Sequence, residues 1–326
     1  MRLELEETKA VSQANEFLKH KTALIKKLGP LVGLLILSVA LAIISEDFLT
    51  VSNLLNVARQ ISLNAIISVG MTFILLTGGI DLSVGSVVAI AGSITAGLLV
   101  QGTSSILAIG AGLLLGAVLG AVNGLLITRG KLPPFIATMG MMTIARGYCL
   151  IYTDGRPITG FSETFRWLGG GYIAGIPVPV FIMAFLFIAA YIFLKQNRFG
   201  RYIYAIGGNE EAARLSGIST EKVLVSIYVL SGLMAALSGI ILTSRLNSAQ
   251  PTAGVGFEMD AIAAVVLGGT SLSGGVGTIG GTLVGAMIIG VLDNGLNLLN
   301  VSSFYQQVAK GVVILLAVLL DRKKNK

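Results

Sequence analysis

Ten apolar segments, separated by charged residues, prolines or glycine clusters, constrain this chain more than any other feature of its sequence. They cover residues 30–44, 61–77, 82–100, 105–128, 135–152, 178–194, 223–243, 260–273, 276–293 and 301–320. A transmembrane helix needs about 20 predominantly apolar residues, and these segments lack the sustained alternation of a β-barrel strand. The pattern predicts an all-α polytopic membrane protein with about ten transmembrane helices. The first and eighth segments are short, which indicates partial or tilted helices.

The composition agrees with a membrane location. Of the 326 residues, 54% are hydrophobic and only 12% are charged, whereas a soluble domain carries roughly 25% charged residues. The net charge of +7 comes without a basic stripe of interleaved aromatic residues, so a nucleic-acid partner is not expected. The single cysteine, Cys149, lies in an apolar segment and is expected to be buried and free.

The distribution of Lys and Arg predicts the orientation. Seventeen of the 23 Lys and Arg residues lie in the N-terminal segment, in two connections and in the C-terminal tail, and four lie on the opposite side. Because basic residues favour the cytoplasmic side, we predict a protein of the bacterial cytoplasmic (inner) membrane with both termini cytoplasmic. Residues 1–29 form a cytoplasmic segment, 30–320 the transmembrane domain, 195–222 a long cytoplasmic connection and 321–326 a basic cytoplasmic tail.

Glycine patterns indicate two structural features. The octet GGIDLSVG at 78–85 resembles GGTSLSGG at 268–275, which indicates either a chance similarity in a glycine-rich chain or a pseudo-repeat of the kind transporters use. Glycines also recur every four residues in the fourth and ninth segments, at Gly112, Gly116, Gly120 and Gly124 and at Gly277, Gly281 and Gly285. This spacing favours close approach of a neighbouring helix; a sliding surface is the alternative.

Motifs for enzymatic chemistry are not convincing. The stretch from Gly275 to Gly280 matches the dinucleotide fingerprint, but it lies among apolar helices rather than in a βαβ unit. Gly130-Lys131 is followed by Leu132, where a phosphate loop needs Ser or Thr. One histidine is too few for most metal or triad sites. We therefore predict a chain that is not an enzyme, with no catalytic residue, no metal and no cofactor of its own.

Polar side chains within or near apolar segments are candidates for a translocation path, because such groups are costly in a membrane unless they face a cavity or a partner. They also suit helix–helix hydrogen bonds, and Asp81 and Asp260 suit an interfacial position. Asp293 and Lys310, on consecutive segments, are expected to pair. The candidate path residues are Asn64, Asp81, Ser83, Asn123, Asp260, Asn294 and Asn297.

Several stretches together resemble a known family. They are SAQPTAG at 248–254, DAIAAVVLGGTSLSGG at 260–275, TGGIDLSVGS at 77–86, GRYIYAIGGNE at 200–210 and NGLNLL at 294–299. The chain is similar to the permease subunits of bacterial ABC importers for monosaccharides, from about residue 31 to the C-terminus. The resemblance implies a type II importer-like fold of ten helices, a second permease copy, a cytoplasmic ATP-binding subunit that uses ATP and Mg²⁺, and a periplasmic sugar-binding protein. It also implies ribose or a related pentose as the sugar.

The same resemblance assigns a role to the connection 195–222. In ABC importers a cytoplasmic Glu-Ala-Ala…Gly segment inserts a short helix into the ATPase, and this chain has that form but lacks the usual proline after the glycine. A solvated connecting loop is the alternative. The expected coupling residues are Glu210, Glu211, Ala212, Ala213 and Gly217.

Three arginines on the predicted outer side are candidates for docking the sugar-binding protein, because Arg pairs well with carboxylates. They are Arg156, Arg166 and Arg245; structural pairs with Asp154, Glu163 or Glu258 would explain them equally well. Two other function classes compete with an ATP-driven importer. An ion-coupled secondary transporter would display a carboxylate relay, and a membrane-embedded enzyme would need a catalytic constellation. Neither feature is evident.

Overall fold

The computed structural model describes residues 29–324, and this part of the chain is mostly helical. Most of the predicted N-terminal segment and the last two residues of the basic tail lie outside the described residues. The elements, in order, are α1 Gly29–Ile44, α2 Val51–Leu76, α3 Val84–Val100, α4 Ser105–Thr128, α5 Pro134–Thr153, β1 Ile158–Thr159, α6 Glu163–Gly170, β2 Tyr172–Ile173, β3 Ile176–Pro177, α7 Val178–Gln196, α8 Arg198–Gly208, α9 Glu210–Leu215, α10 Thr220–Leu246, β4 Ser248–Ala249, α11 Phe257–Leu267, α12 Ile279–Leu298 and α13 Ser303–Lys324.

Every predicted apolar segment contains a helix, although the helix bounds differ from the segment bounds. Within the described residues, six helices are long and apolar enough to cross a membrane: α2, α4, α5, α7, α10 and α12. Helices α1 and α3 are shorter apolar helices, and α11 has only 11 residues. The eighth segment is therefore a partial helix, as its length indicated.

Helix α2 begins ten residues before the predicted segment. Thr50 caps its N-terminus by accepting a hydrogen bond from the Asn53 backbone N–H, which satisfies one of the free donors of the first turn. Polar residues such as Asn53 and Arg59 interrupt the apolar run without interrupting the helix. Apolar periodicity detects the membrane-embedded part of a helix and misses a polar extension.

The core is built around α2 and α10. In the most apolar 18-residue stretch of α2, 89% of the residues are buried inside the protein, whereas in α4 the corresponding share is 22%. Because lipid is as apolar as a protein interior, a peripheral membrane helix keeps apolar side chains on its outer face. Ile106 and Leu114 on α4 are exposed in this way. Helix α2 is therefore central, and α4 lies at the periphery.

The glycine spacing in α4 produces the predicted close approach. A Cβ at Gly116 would overlap the carbonyl oxygen of Gly232 on α10, and a Cβ at Gly120 would overlap that of Tyr228. On α12, Gly285 lies in the same way against the Ala264 carbonyl oxygen of α11, and Gly281 lies against the carbonyl oxygen of Gly268, directly after that helix. Gly277 precedes the start of α12, so it does not belong to that helix face.

The two similar octets lie side by side, but their backbone conformations differ. The first begins in turn A (residues 77–83), between α2 and α3, and ends in the first turn of α3, whereas the second lies in turn B (residues 268–278), between α11 and α12. Each helix ends at a glycine with positive φ, Gly78 at 77° and Gly269 at 88°, which is the common helix C-terminus with a left-handed residue. The Gly275 backbone N–H of turn B donates to the Leu76 carbonyl oxygen beside turn A, at 2.9 Å. The positive-φ glycine at the helix end is the first residue of one octet and the second of the other, and Gly274 and Gly275 have positive φ where Val84 and Gly85 are helical. The geometry therefore does not favour the pseudo-repeat over chance similarity.

Candidate functional site

Asp81 is the centre of a buried polar cluster between turn A, α4 and α10. One carboxylate oxygen accepts hydrogen bonds from the Ser83 backbone N–H at 2.9 Å and the Ser83 hydroxyl at 2.6 Å. The other accepts from the Ser231 hydroxyl at 2.8 Å. The Asn123 side-chain amide donates to the Ser83 hydroxyl oxygen at 2.9 Å. Asp81 is only 1% exposed, so these donors compensate for the loss of water around the carboxylate.

The structure does not gather the seven candidate path residues into one site. Only Asp81, Ser83 and Asn123 are in contact. Asn294 exchanges two hydrogen bonds with Asn53 on α2, at 3.0 and 2.8 Å, and Asn297 accepts one from Gln306. Helix–helix hydrogen bonding therefore accounts for much of this set.

Two candidate path residues, Asn64 and Asn123, have a buried side-chain oxygen without a hydrogen-bond partner in the described part of the chain. Asn123 is fully buried, whereas Asn64 as a whole is partly exposed. A buried amide oxygen without a partner is costly. Asn64 is therefore a position at which a polar solute or water would be stabilised.

Asp260, Asp293 and Lys310 form an ionic cluster that joins α11, α12 and α13. The Lys310 ammonium lies 3.0 Å from an Asp260 oxygen and 2.9 Å from an Asp293 oxygen. Both aspartates are about nine-tenths buried or more. The predicted Asp293–Lys310 pair is confirmed, and Asp260, a candidate path residue, is its second acid. One cation between two carboxylates leaves a local excess of negative charge.

Arg146 makes a further set of contacts inside the protein, for which the sequence assigned no role. Its guanidinium, on α5, donates to the carbonyl oxygens of Pro251 at 2.7 Å and Ala253 at 2.8 Å, and to that of Gly85 at 3.2 Å. It fixes the turn before α11 against the start of α3. The planar fork of Arg suits several carbonyl oxygens at once, so this residue has a structural role.

The expected coupling residues lie on or directly after a short, mostly exposed helix, α9. Asn209 caps it by accepting from the Ala212 backbone N–H at 2.9 Å, and Gly217 ends it with a φ of 84°. Arg214 donates to Glu211 at 2.7 Å, and this hydrogen bond raises the pKa of Arg214. The two alanines differ: Ala212 is exposed, whereas Ala213 is 5% exposed and packs into the protein's own core. Of the two alanines, only Ala212 therefore lies on the exposed face of α9.

Leu215 is a surface residue of α9 that the sequence analysis missed. Its side chain is 80% exposed on a helix whose other exposed residues are mainly charged. A lone exposed leucine is ordinary on a membrane-facing helix, but α9 is a polar segment outside the apolar runs. A single exposed apolar residue is ordinary on a protein surface, so Leu215 is a candidate contact only because it lies on the segment that the resemblance places against the ATPase. The Glu-Ala-Ala motif does not include the leucine two residues later, so the motif alone did not identify Leu215.

Two of the three candidate docking arginines line one open groove. It has a volume of about 280 Å³ and lies between α6 and the end of α10. The lining residues are Glu163, Arg166, Trp167, Gly170, Gly171, Ser244 and Arg245. Arg156 does not line it. None of the three arginines forms a salt bridge with Asp154, Glu163 or Glu258 within residues 29–324, so the alternative of structural pairing has no support there.

Arg59 adds positive charge beside this groove. Its guanidinium lies 4.8 Å from the ring centroid of Tyr172, a cation–π contact. The Arg245 guanidinium donates to the Asn56 side-chain oxygen at 3.3 Å. The groove and its margin therefore form a basic surface with an exposed tryptophan. In the described part of the chain, no group of three or more His, Cys, Asp or Glu side chains is arranged to hold a metal ion.

Comparison with known proteins identifies the family. Residues 53–318 match the family described as branched-chain amino acid transport system / permease component. The chain belongs to this permease family. The permease is 57% identical over 308 residues to the ribose import permease protein of Bacillus subtilis (strain 168), covering 94% of this chain and 96% of that protein.

Two further relatives agree. The ribose import permease protein of Escherichia coli (strain K12) is 53% identical over 90% of the permease and 93% of its own length. The D-allose transport system permease protein of the same organism is 42% identical over 86% of both chains. No solved structure matches the permease. The permease is thus a multi-pass inner-membrane subunit of an ABC importer, and the ion-coupled alternative has no support from these relatives.

Proposed function

We propose that the permease translocates ribose, or a closely related pentose, from a periplasmic binding protein into the cytoplasm. The observation that carries the proposal is its identity of 57% and 53%, over nine-tenths of its length, to two permeases named for ribose import. The more distant allose relative, at 42%, indicates that the sugar changes within the family. Ribose is therefore a better choice than a hexose.

The same proposal includes the assembly. Two permease copies cross the membrane with ten segments each, with both termini cytoplasmic, and a separate subunit hydrolyses ATP–Mg²⁺. The 17-to-4 distribution of basic residues supports the orientation. The ten apolar segments, each containing a helix in the described structure, support the number of crossings.

Helix α9 is proposed as the contact with the ATPase. Its charged residues Glu210 and Glu211 and its exposed Leu215 face away from the protein. Ala213, buried beneath them, requires a small side chain for internal packing. On the outer side, we propose the basic groove of Arg166 and Arg245 as the contact with acidic residues of the binding protein, with Arg156 at most peripheral.

Among the candidate path residues, Asn64 is proposed as the one that hydrogen-bonds the sugar. Its side-chain oxygen, like that of Asn123, is buried without a partner within the described residues, and of the two residues only Asn64 is partly exposed. The cluster of Asp81, Ser83 and Asn123 would hold the backbone around the path in position without contacting the sugar. Asp260, Asn294 and Asn297 are engaged in contacts between helices.

The test of function is ribose uptake by cells that lack their own ribose permease but retain the ATPase and binding protein. We expect this permease to restore uptake of labelled ribose, and excess unlabelled ribose to compete with it better than excess allose. Restored uptake of allose but not of ribose would reject ribose as the substrate. Co-purification of an ATPase from detergent would separately test the assembly.

A further inference from the structure

A glycine on α8 lies in direct backbone contact with turn B and with the last residue of α2, where turn A begins. A Cβ at Gly207 would overlap the carbonyl oxygen of Leu76, at the start of turn A, and the backbone N of Gly275 in turn B. These two backbone atoms are themselves hydrogen-bonded, at 2.9 Å. Gly207 therefore lies on a junction of three chain segments that come from distant parts of the sequence.

The reverse contacts are equally close. A Cβ at Gly274 would lie 2.9 Å from the Gly207 carbonyl oxygen and 2.9 Å from the Gly78 backbone N. Tyr204, one turn earlier on α8, donates its hydroxyl to the Gly277 carbonyl oxygen of turn B at 2.9 Å. Burial raises the pKa of Tyr204, which keeps this hydroxyl protonated as a donor. Helix α8 is therefore held to turn B by a hydrogen bond and by backbone packing, and to the last residue of α2, directly before turn A, by backbone packing.

Helix α8 is also joined tightly to α9. Only Asn209 separates the two helices. Its backbone N–H donates to Ala205 in α8 at 3.0 Å, and its side chain caps α9. On the inner side, Ile203 and Ile206 are buried in the same apolar cluster as Ile74 and Leu76 of α2. A displacement of α9 therefore displaces α8 as well, because a packed interface is not continuously deformable.

We propose that Gly207 transmits displacement of α9 to turn A and turn B together, so that binding and hydrolysis of ATP in the partner are coupled to movement of both turns. The inference rests on the proposed function, since it assumes an ATPase on α9. Turn A carries Asp81, and turn B leads into α12. The Gly207 contact thus moves the segments before α3 and α12 at the same time. This close contact is possible because residue 207 has no side chain. Gly207 and Tyr204 act as positioning residues and touch no sugar.

The neighbouring glycine supplies a matched control. A Cβ at Gly208 would have no atom within 4 Å, so Gly208→Ala adds the same methyl group one residue away without displacing the turns. Tyr204→Phe removes only the hydroxyl that bonds Gly277 and adds no volume. The two changes separate steric displacement of the junction from loss of one hydrogen bond.

The experiment measures ribose transported per ATP hydrolysed in vesicles that contain the permease variants, the ATPase and the binding protein. We expect Gly207→Ala to reduce this ratio at least fivefold while the ATPase still co-purifies, Tyr204→Phe to reduce it about twofold, and Gly208→Ala to keep the wild-type ratio. A wild-type ratio in both Gly207→Ala and Tyr204→Phe would overturn the inference, as would loss of transport and hydrolysis in equal proportion.

Failure of a variant to assemble and failure of the proposed function give different results. If Gly207→Ala fails to assemble, Tyr204→Phe decides alone: a lower ratio supports the inference, and a wild-type ratio overturns it. If the wild-type permease itself shows no ATP-dependent ribose transport, the proposed function fails, whatever the variants do.

Discussion

The ammonium group of Lys310 lies 2.9 Å from a carboxylate oxygen of Asp293 on the preceding helix and 3.0 Å from one of Asp260 on α11. This contact joins α13 to α11 and α12. Removing one partner of a buried ionic cluster costs about 3–5 kcal/mol, whereas replacing all partners with neutral groups is often tolerated. One side chain, Lys310, therefore compensates two buried carboxylates.

Lys310→Met is expected to lower the stability of the purified permease in detergent by about 3–5 kcal/mol, because two carboxylates lose their cation. The measurement is the midpoint of thermal unfolding followed by static light scattering. The variant that combines Lys310→Met with Asp260→Asn and Asp293→Asn should recover most of the loss. A single variant as stable as the wild type would contradict a structural role for the cluster.

Leu215→Ser should weaken the association of the permease with its ATPase at least tenfold, since α9 would lose its large exposed apolar side chain. The matched control is Leu132→Ser, the same change in the shorter predicted cytoplasmic connection. Affinity is measured by titrating ATPase onto permease in nanodiscs. Equal affinity for the wild type and Leu215→Ser would remove Leu215 from the interface.

Ala212→Trp and Ala213→Trp should fail in different ways. The exposed Ala212 position accepts the bulk without disturbing the fold but blocks docking. The buried Ala213 position does not accept the bulk, since overpacking a core typically costs about 1–3 kcal/mol. We expect Ala212→Trp to be stable in detergent and not to bind the ATPase, and Ala213→Trp to be destabilised. Equal stability of the two variants would contradict the buried position of Ala213.

Arg166→Glu is expected to reduce the affinity for the binding protein more than Arg156→Glu does, because only Arg166 lines the basic groove. Both residues are exposed, so the two changes are matched in charge and differ in place. Surface pairs contribute modestly, and we expect a loss of about three- to tenfold at low salt that shrinks as salt rises. Equal effects of the two changes would argue against the groove.

The orientation has its own test. Thr164→Cys on α6 and Glu210→Cys on α9, each in a Cys149→Ala background, place exposed thiols on opposite predicted sides of the membrane. A membrane-impermeant maleimide added to intact cells with a permeabilised outer membrane should label position 164 and not position 210. Labelling of both positions would contradict the orientation derived from Lys and Arg.

The helical segments were predictable because each leaves its mark on the local sequence. Apolar length predicts a helix, and the four-residue glycine spacing predicts the close packing of α4 on α10. The polar start of α2 escaped prediction because Asn53 and Arg59 resemble loop residues until a helix cap is seen. The partial helix α11 was indicated only by its length.

The site was less predictable, because its contacts join distant parts of the chain. Asn53 and Asn294 are 241 positions apart, and no local pattern pairs them. Polar residues in apolar segments were correctly identified as unusual, but their partners decide whether they bind each other or a solute. Ala213 and Leu215 show the same limit, since a motif identifies a short helix without saying which of its faces is buried.

The most direct test of the account is the energy source for ribose entry. Proteoliposomes containing the permease and its ATPase, supplied with ribose-loaded binding protein outside and ATP–Mg²⁺ on the ATPase side, should accumulate labelled ribose. Removal of ATP should stop accumulation, and collapse of proton and sodium gradients should leave it unchanged. Accumulation of ribose by the permease alone, driven by an ion gradient and without the ATPase, would contradict the account.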